Sequence, residues 1–138
     1  MTDLVIDASV AIKWVIAECG TMEALALRRG NRLFAPELLV AECANALWRK
    51  ARLAELTEDE AVFAARLLQR ADIELMPMRP LLERATRLAI ALDHPAYDCL
   101  YLALAESLSC DLATADERFA AKSLPTDCRS KVLPLAAS

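Results

Sequence analysis

The sequence predicts an α/β domain built on a parallel sheet with helices on both faces. Three observations predict it. Five short apolar runs alternate with longer stretches of helical pattern along the chain, the spacing expected of βαβ units. The first run, Leu4-Val5-Ile6, is apolar without alternation, as a strand covered on both faces must be. Hydrophobic residues make up 57% of 138 positions, above the usual ~45–50%, and much of the excess is Ala and Leu, which favour helix. No repeat, low-complexity tract or linker divides the chain, so residues 1–138 are expected to form one domain.

Each element has its own signal. After the first strand, Ser9 is the expected N-cap of a helix running through Val10, Ile12, Trp14 and Val15. Cys19-Gly20-Thr21 breaks it, and a second helix over 22–29 is expected to stop at Gly30. Residues 32–35 form the second strand, ended by Pro36, which suits the first turn of a helix over 37–52. Thr57 and Glu60 make a capping box for a helix ending near 71. Residues 73–76 are the third strand, closed by Pro77 and Pro80, and helices over 81–92 and 96–108 follow. Residues 111–114 and 131–133 are the last two strands, with a short helix over 117–122 between them. The crossovers should be right-handed.

Composition excludes several function classes. With two glycines, neither in a GxGxxG or P-loop setting, a glycine-rich phosphate loop is absent. The formal charge of −4 is not the footprint of a protein that grips nucleic acid through bulk positive charge. Arg28, Arg29, Arg32, Arg49, Lys50 and Arg52 are expected to be solvated helix faces for the most part, with a local basic surface as the other reading. Five cysteines without CxxC, and His94 as the lone histidine, argue against a zinc site. The Met-Thr-Asp start leads directly into a strand, and no apolar run approaches the ~18 residues of a membrane span. The expectation is a cytoplasmic chain with reduced thiols.

Four carboxylates fall at meaningful places. Asp7 stands where the first strand ends, and in open α/β sheets ligands bind beyond the C-terminal ends of strands. Asp116 follows the fourth strand and shares that crevice if the two strands are neighbours. Glu42 lies in the first half of its helix, with Asn45, Ala46 and Arg49 on the same face. Asp98 lies in the first turn of a helix that is apolar nearly all round. Each acid alone has a structural reading: a cap or turn for Asp7, a helix-dipole partner for Asp98, a solvated acid for Glu42. If the four converge, the weighting changes. Two carboxylates ~4 Å apart at an effective dielectric near 20 repel by about 4 kcal/mol, so such a cluster needs shared protons or a cation. Oxygen-only donors select a hard ion, Mg²⁺ or Mn²⁺, and that combination suits phosphodiester hydrolysis. Ser9 and Thr114 lie close enough in sequence to Asp7 and Asp116 to orient them; their structural readings are a helix cap and a strand-end turn.

The order Val5-Ile6-Asp7-Ala8-Ser9-Val10, then Glu42 with Asn45 and Leu47, then Tyr97-Asp98-Cys99-Leu100-Tyr101-Leu102-Ala103-Leu104-Ala105, then Thr114-Ala115-Asp116 with Phe119, resembles the PIN-domain family. Within it the chain looks like the VapC-type toxins of toxin–antitoxin pairs. The resemblance covers nearly the whole chain. It implies a three-layer α/β/α sandwich around a parallel sheet of about five strands in the order 3-2-1-4-5. It implies a Mg²⁺- or Mn²⁺-dependent endoribonuclease with Asp7, Glu42, Asp98 and Asp116 as its acids. Asp7, Asp98 and Asp116 are the implied metal ligands, and Ser9, Asn45 and Thr114 their supporting residues. The partners implied are RNA, a cognate antitoxin and a second copy of the chain. The helices bearing Trp14, Val15, Ile16 and Leu25 are candidate antitoxin contacts, with ordinary core as the other reading.

Two further readings stay open on the sequence. One is a catalytically inactive PIN fold that acts as a binding module. The other is an aspartyl-phosphate phosphatase of the haloacid-dehalogenase kind, which also starts with a strand ending in Asp but wants a second Asp where Ser9 stands.

Overall fold

The computed structural model describes residues 1–135, in which five strands alternate with seven helices. The strands are β1 (Thr2–Ile6), β2 (Asn31–Pro36), β3 (Glu74–Met76), β4 (Asp111–Thr114) and β5 (Val132–Pro134). The helices are α1 (Ala8–Val15), α2 (Thr21–Ala26), α3 (Leu38–Arg52), α4 (Glu58–Gln69), α5 (Leu82–Leu92), α6 (Ala96–Ser107) and α7 (Glu117–Ala120). All strand pairs are parallel, in the order β3-β2-β1-β4-β5. The chain therefore steps outward from β1 through β2 to β3, returns through α5 and α6, and continues from β4 to β5 on the other side. The seam between β1 and β4 is the topological switch point, where the C-terminal strand ends diverge into a crevice.

The core follows from the apolar runs. Leu4, Val5 and Ile6 lie at the centre of the sheet and are buried, paired with Leu33 and Phe34 on one side and Leu112 and Ala113 on the other. Helix α6 lies across β1, β2 and β4 and buries Cys99, Tyr101 and the whole run Leu102–Ala105. That is why its sequence carries no polar stripe. Helices α1, α3 and α4 pack on one another as the opposite layer, with Leu39, Cys43 and Leu47 of α3 turned inward. Glu106, at the end of α6, is buried and held by Arg84 of α5 through two hydrogen bonds, Nε at 2.8 Å and Nη2 at 3.1 Å.

Several boundaries differ from the sequence reading, each for a local reason. Asp7, not Ser9, caps α1: its backbone is extended and its carboxylate accepts from Val10 N at 3.2 Å, which leaves Ser9 inside the first turn. Pro36 closes β2 instead of opening α3. Glu37 N donates to Met76 O on β3, so the N position of Pro36 faces the β1 side, where pairing has already ended at Phe34. α2 stops at Ala26, and three overlapping tighter turns lead the chain toward Gly30, whose φ of +75° suits a residue without a side chain. α5 starts at Leu82 behind a 3₁₀ turn, Arg79–Leu81. Trp14, Val15 and Ile16 are half-buried against the core, and the Trp14 indole donates to Ala24 O at 2.8 Å, joining α1 to α2.

Candidate active site

The switch point places Asp7 first. It is the residue after β1, it is buried, and both of its oxygens are taken up by its neighbours. Oδ1 accepts from Ser9 Oγ at 2.5 Å and from Val10 N; Oδ2 accepts from Thr114 Oγ1 at 2.5 Å, across the β1–β4 seam. Thr114 is fully buried behind the carboxylate and also accepts from Asp116 N at 3.0 Å. Asp116 in turn caps α7, its Oδ1 accepting from Arg118 N and Phe119 N. The two strand-end acids are thus linked through one threonine hydroxyl.

The other two acids come from the two helical layers. Glu42 sits on α3 next to the buried stripe of that helix and accepts from Tyr101 Oη at 2.6 Å. Asp98, in the first turn of α6, lies 2.6 Å from His94 Nε2, and the His94 ring stacks on Phe119 at 4.6 Å between centroids. Asp7, Ser9, Glu42, Asn45, Asp98 and Asp116 all line one open cleft of about 810 Å³. Every acid the sequence singled out reaches it, while Thr114 supports it from behind.

The electrostatics match that crowding. Burial is the main reason the Asp7 carboxyl is pushed up from 3.8 to about 6, against its hydrogen bonds from Ser9, Thr114 and Val10, and the negative charge of Asp98 adds to it. Glu42 is raised as well, by burial first and by Asp98, with the Tyr101 hydrogen bond opposing. Tyr101 itself is pushed well above the usual phenol range, by burial and then by Glu42, so it remains a donor.

The sequence reading missed Tyr101 and His94 as partners of Glu42 and Asp98. Each had a faint signal: Tyr101 stands three residues after Asp98, and His94 four before it. It also missed Lys13 and Glu18, which line the same cleft.

An oxygen-only donor set suits a hard divalent cation. No three His, Cys, Asp or Glu side chains among the described residues form a ready-made metal cage. Mg²⁺ does not require one, because it keeps several waters and uses one or two carboxylates. Two carboxyls, Asp7 and Glu42, driven toward their neutral forms by burial and by the charge of Asp98 are what a missing positive charge leaves behind, so the residues present fit such an ion.

The model of the PIN domain matches residues 4–123. The chain belongs to the PIN-domain family. Within that family it is 33% identical over 115 residues to ribonuclease VapC9 of Mycobacterium tuberculosis, covering 83% of this chain and 87% of the relative. It is 32% identical over 125 residues to ribonuclease VapC3 of Pyrobaculum aerophilum, covering 86% and 93%. This PIN-domain chain therefore groups with the VapC proteins. Its fold is also that of VapBC-5, a member of the VapBC family of toxin–antitoxin systems from M. tuberculosis, with a TM-score of 0.65 at 23% identity over 97% of this chain and 99% of the other. The five-stranded order β3-β2-β1-β4-β5 is the PIN order.

Proposed function

We propose that this chain is a divalent-metal-dependent endoribonuclease, the toxin of a type II toxin–antitoxin pair, cytoplasmic and folded as one domain over residues 1–138. One observation carries the reading: four carboxylates from four separate elements line a single cleft at the β1–β4 switch point. Asp7, Asp98 and Asp116 would hold Mg²⁺ or Mn²⁺. Bound there, the ion supplies a Lewis acid for the phosphoryl group and lowers the pKa of an attacking water.

The chain's own side chains do the rest. Ser9 and Thr114 fix the Asp7 carboxylate from two sides, and His94 fixes Asp98. Tyr101 holds one oxygen of Glu42 and leaves the other to orient a water and accept its proton. The raised pKa of Glu42 makes it a stronger base than an ordinary carboxylate. Asn45, one turn along α3 on the cleft wall, offers its amide to a phosphate oxygen. RNA as substrate is supported by the ribonuclease names of VapC9 and VapC3, and an antitoxin by the toxin–antitoxin name of the VapBC-5 neighbour. Exposed apolar side chains on α3 and α4, among them Val40, Trp48, Phe63 and Leu67, are surface for a second copy or the antitoxin. No helix among the described residues is long and apolar enough to cross a membrane. The aspartyl-phosphate reading weakens, because Ser9 stands in place of the second Asp.

The test is cleavage of a labelled RNA by the purified chain. Cleavage should need Mg²⁺ or Mn²⁺, stop with EDTA, and fall about 100-fold or more in Asp98→Asn. Undiminished cleavage by Asp98→Asn, or in EDTA, would refute the assignment.

A further inference from the structure

Basic side chains are scarce in the cleft. Lys13 of α1 and Arg49 of α3 are the cations that line it. Arg49 is exposed and makes no salt bridge among the described residues. Lys13 is held in place. Its stem packs at Gly20, where an added Cβ would lie 3.4 Å from Lys13 Cδ and Cε. Its ammonium donates to Cys19 O at 2.6 Å and to Glu18 Oε1 at 3.2 Å. The second Glu18 oxygen accepts from Lys50 Nζ at 3.1 Å, from the residue after Arg49. One carboxylate from the loop between α1 and α2 therefore gathers an ammonium from each of two helices, α1 and α3, at one end of the cleft. Partial burial works against its charge, but the hydrogen bonds from Lys50 and Lys13 outweigh that and hold Glu18 below the usual carboxylate range.

A tetrahedral phosphate could take the same two ammonium groups. We infer that Glu18 occupies a phosphate subsite of the cleft: a backbone phosphate beside the scissile one displaces the Glu18 carboxylate and binds Lys13, Lys50 and Arg49. The inference rests on the ribonuclease reading and deepens it. Arg49 lies seven residues beyond Glu42 on the same helix face, about 10 Å along the axis, so the subsite serves a flanking phosphate and not the reacting one. The Lys13, Lys50 and Glu18 side chains keep 15%, 20% and 29% of their exposure. A phosphate that takes both ammonium groups replaces the carboxylate's hydrogen bonds with its own, so the exchange leaves neither lysine unpaired. A chain of net charge −4 cannot attract RNA in bulk, and a concentrated local subsite answers that need.

The experiment measures the affinity of a single-stranded RNA oligonucleotide for the full chain in an Asp98→Asn background, at several salt concentrations. Glu18→Gln should bind about three- to tenfold more tightly, and Glu18→Ala likewise. Arg49→Ala should weaken binding and flatten the log–log salt slope by about 0.7. In a Lys13→Gln, Lys50→Gln background the gain from Glu18→Gln should vanish. Glu83→Gln, the same charge change outside the cleft, should alter nothing. Unchanged affinity in both Glu18 variants, an equal gain in Glu83→Gln, or a gain that survives loss of both lysines overturns the subsite alone. Absence of RNA binding by the Asp98→Asn chain overturns the ribonuclease reading and the subsite with it.

Discussion

Asp7→Asn should make the metal-free protein more stable at neutral pH, although it removes a proposed metal ligand. The folded chain raises the Asp7 carboxyl from 3.8 to about 6, because burial disfavours its charge. Between those two values the folded state holds a proton that the unfolded state has released. Stability therefore falls as pH rises through that window, and above about pH 6 the full cost stands, roughly 3 kcal/mol at 1.36 kcal/mol per pKa unit. Below 3.8 both states are protonated and the cost disappears. Asparagine stays neutral throughout. Its carbonyl oxygen can still accept from Ser9 and Val10, but its amide makes Thr114 an acceptor and leaves that hydroxyl proton without its present partner, a loss of about 1 kcal/mol. The net gain should be about 2 kcal/mol at pH 7.5. Urea unfolding in EDTA at pH 7.5 and pH 4 measures it: the variant should have the higher midpoint at pH 7.5 and lose that advantage at pH 4. Mn²⁺ should raise the midpoint of the natural chain and not that of the variant. A variant less stable than the natural chain at pH 7.5, by the same margin at both pH values, would refute burial as the source of the shift.

Tyr101→Phe removes the hydroxyl that opposes the rise in the Glu42 pKa, so the acidic limb of the cleavage profile should move to higher pH and kcat should fall about three- to thirtyfold; an unshifted profile would mean that Tyr101 only fills space. Arg84→Ala leaves Glu106 buried with the Arg129 N–H at 3.3 Å but without its charged partner and should cost about 2–4 kcal/mol in chemical denaturation, with little change in activity per folded molecule.

The strand ends were the most legible part of the sequence. Leu4-Val5-Ile6 has the pattern of a strand buried on both faces, and a carboxylate directly after such a strand has few addresses other than the sheet edge. The apolar run around α6 likewise announced burial. Helix caps were less legible, because Asp7 and Ser9 both favour the N-cap and only the observed extended backbone at Asp7 decides between them. Long-range pairs were hidden. Tyr101 in an apolar helix reads as core, and its link to Glu42 spans 59 positions. Glu18 reads as a polar loop residue, since nothing local announces that Lys50, 32 positions on, reaches back to it. Periodicity tells which face a residue takes, but not which distant face it meets.

The caps also separate the four acids by how the fold depends on them. Asp7 starts α1 and ties it to β4, and Asp116 starts α7, so both positions would keep a capping residue, Asp or Asn, even in a descendant that cleaves nothing. Glu42 and Asp98 terminate no helix and join no strands, although Glu42 meets Tyr101 of α6. Drift in an idle copy should erase them first, so the survival of that second pair is the better sign that a related chain still has a working centre.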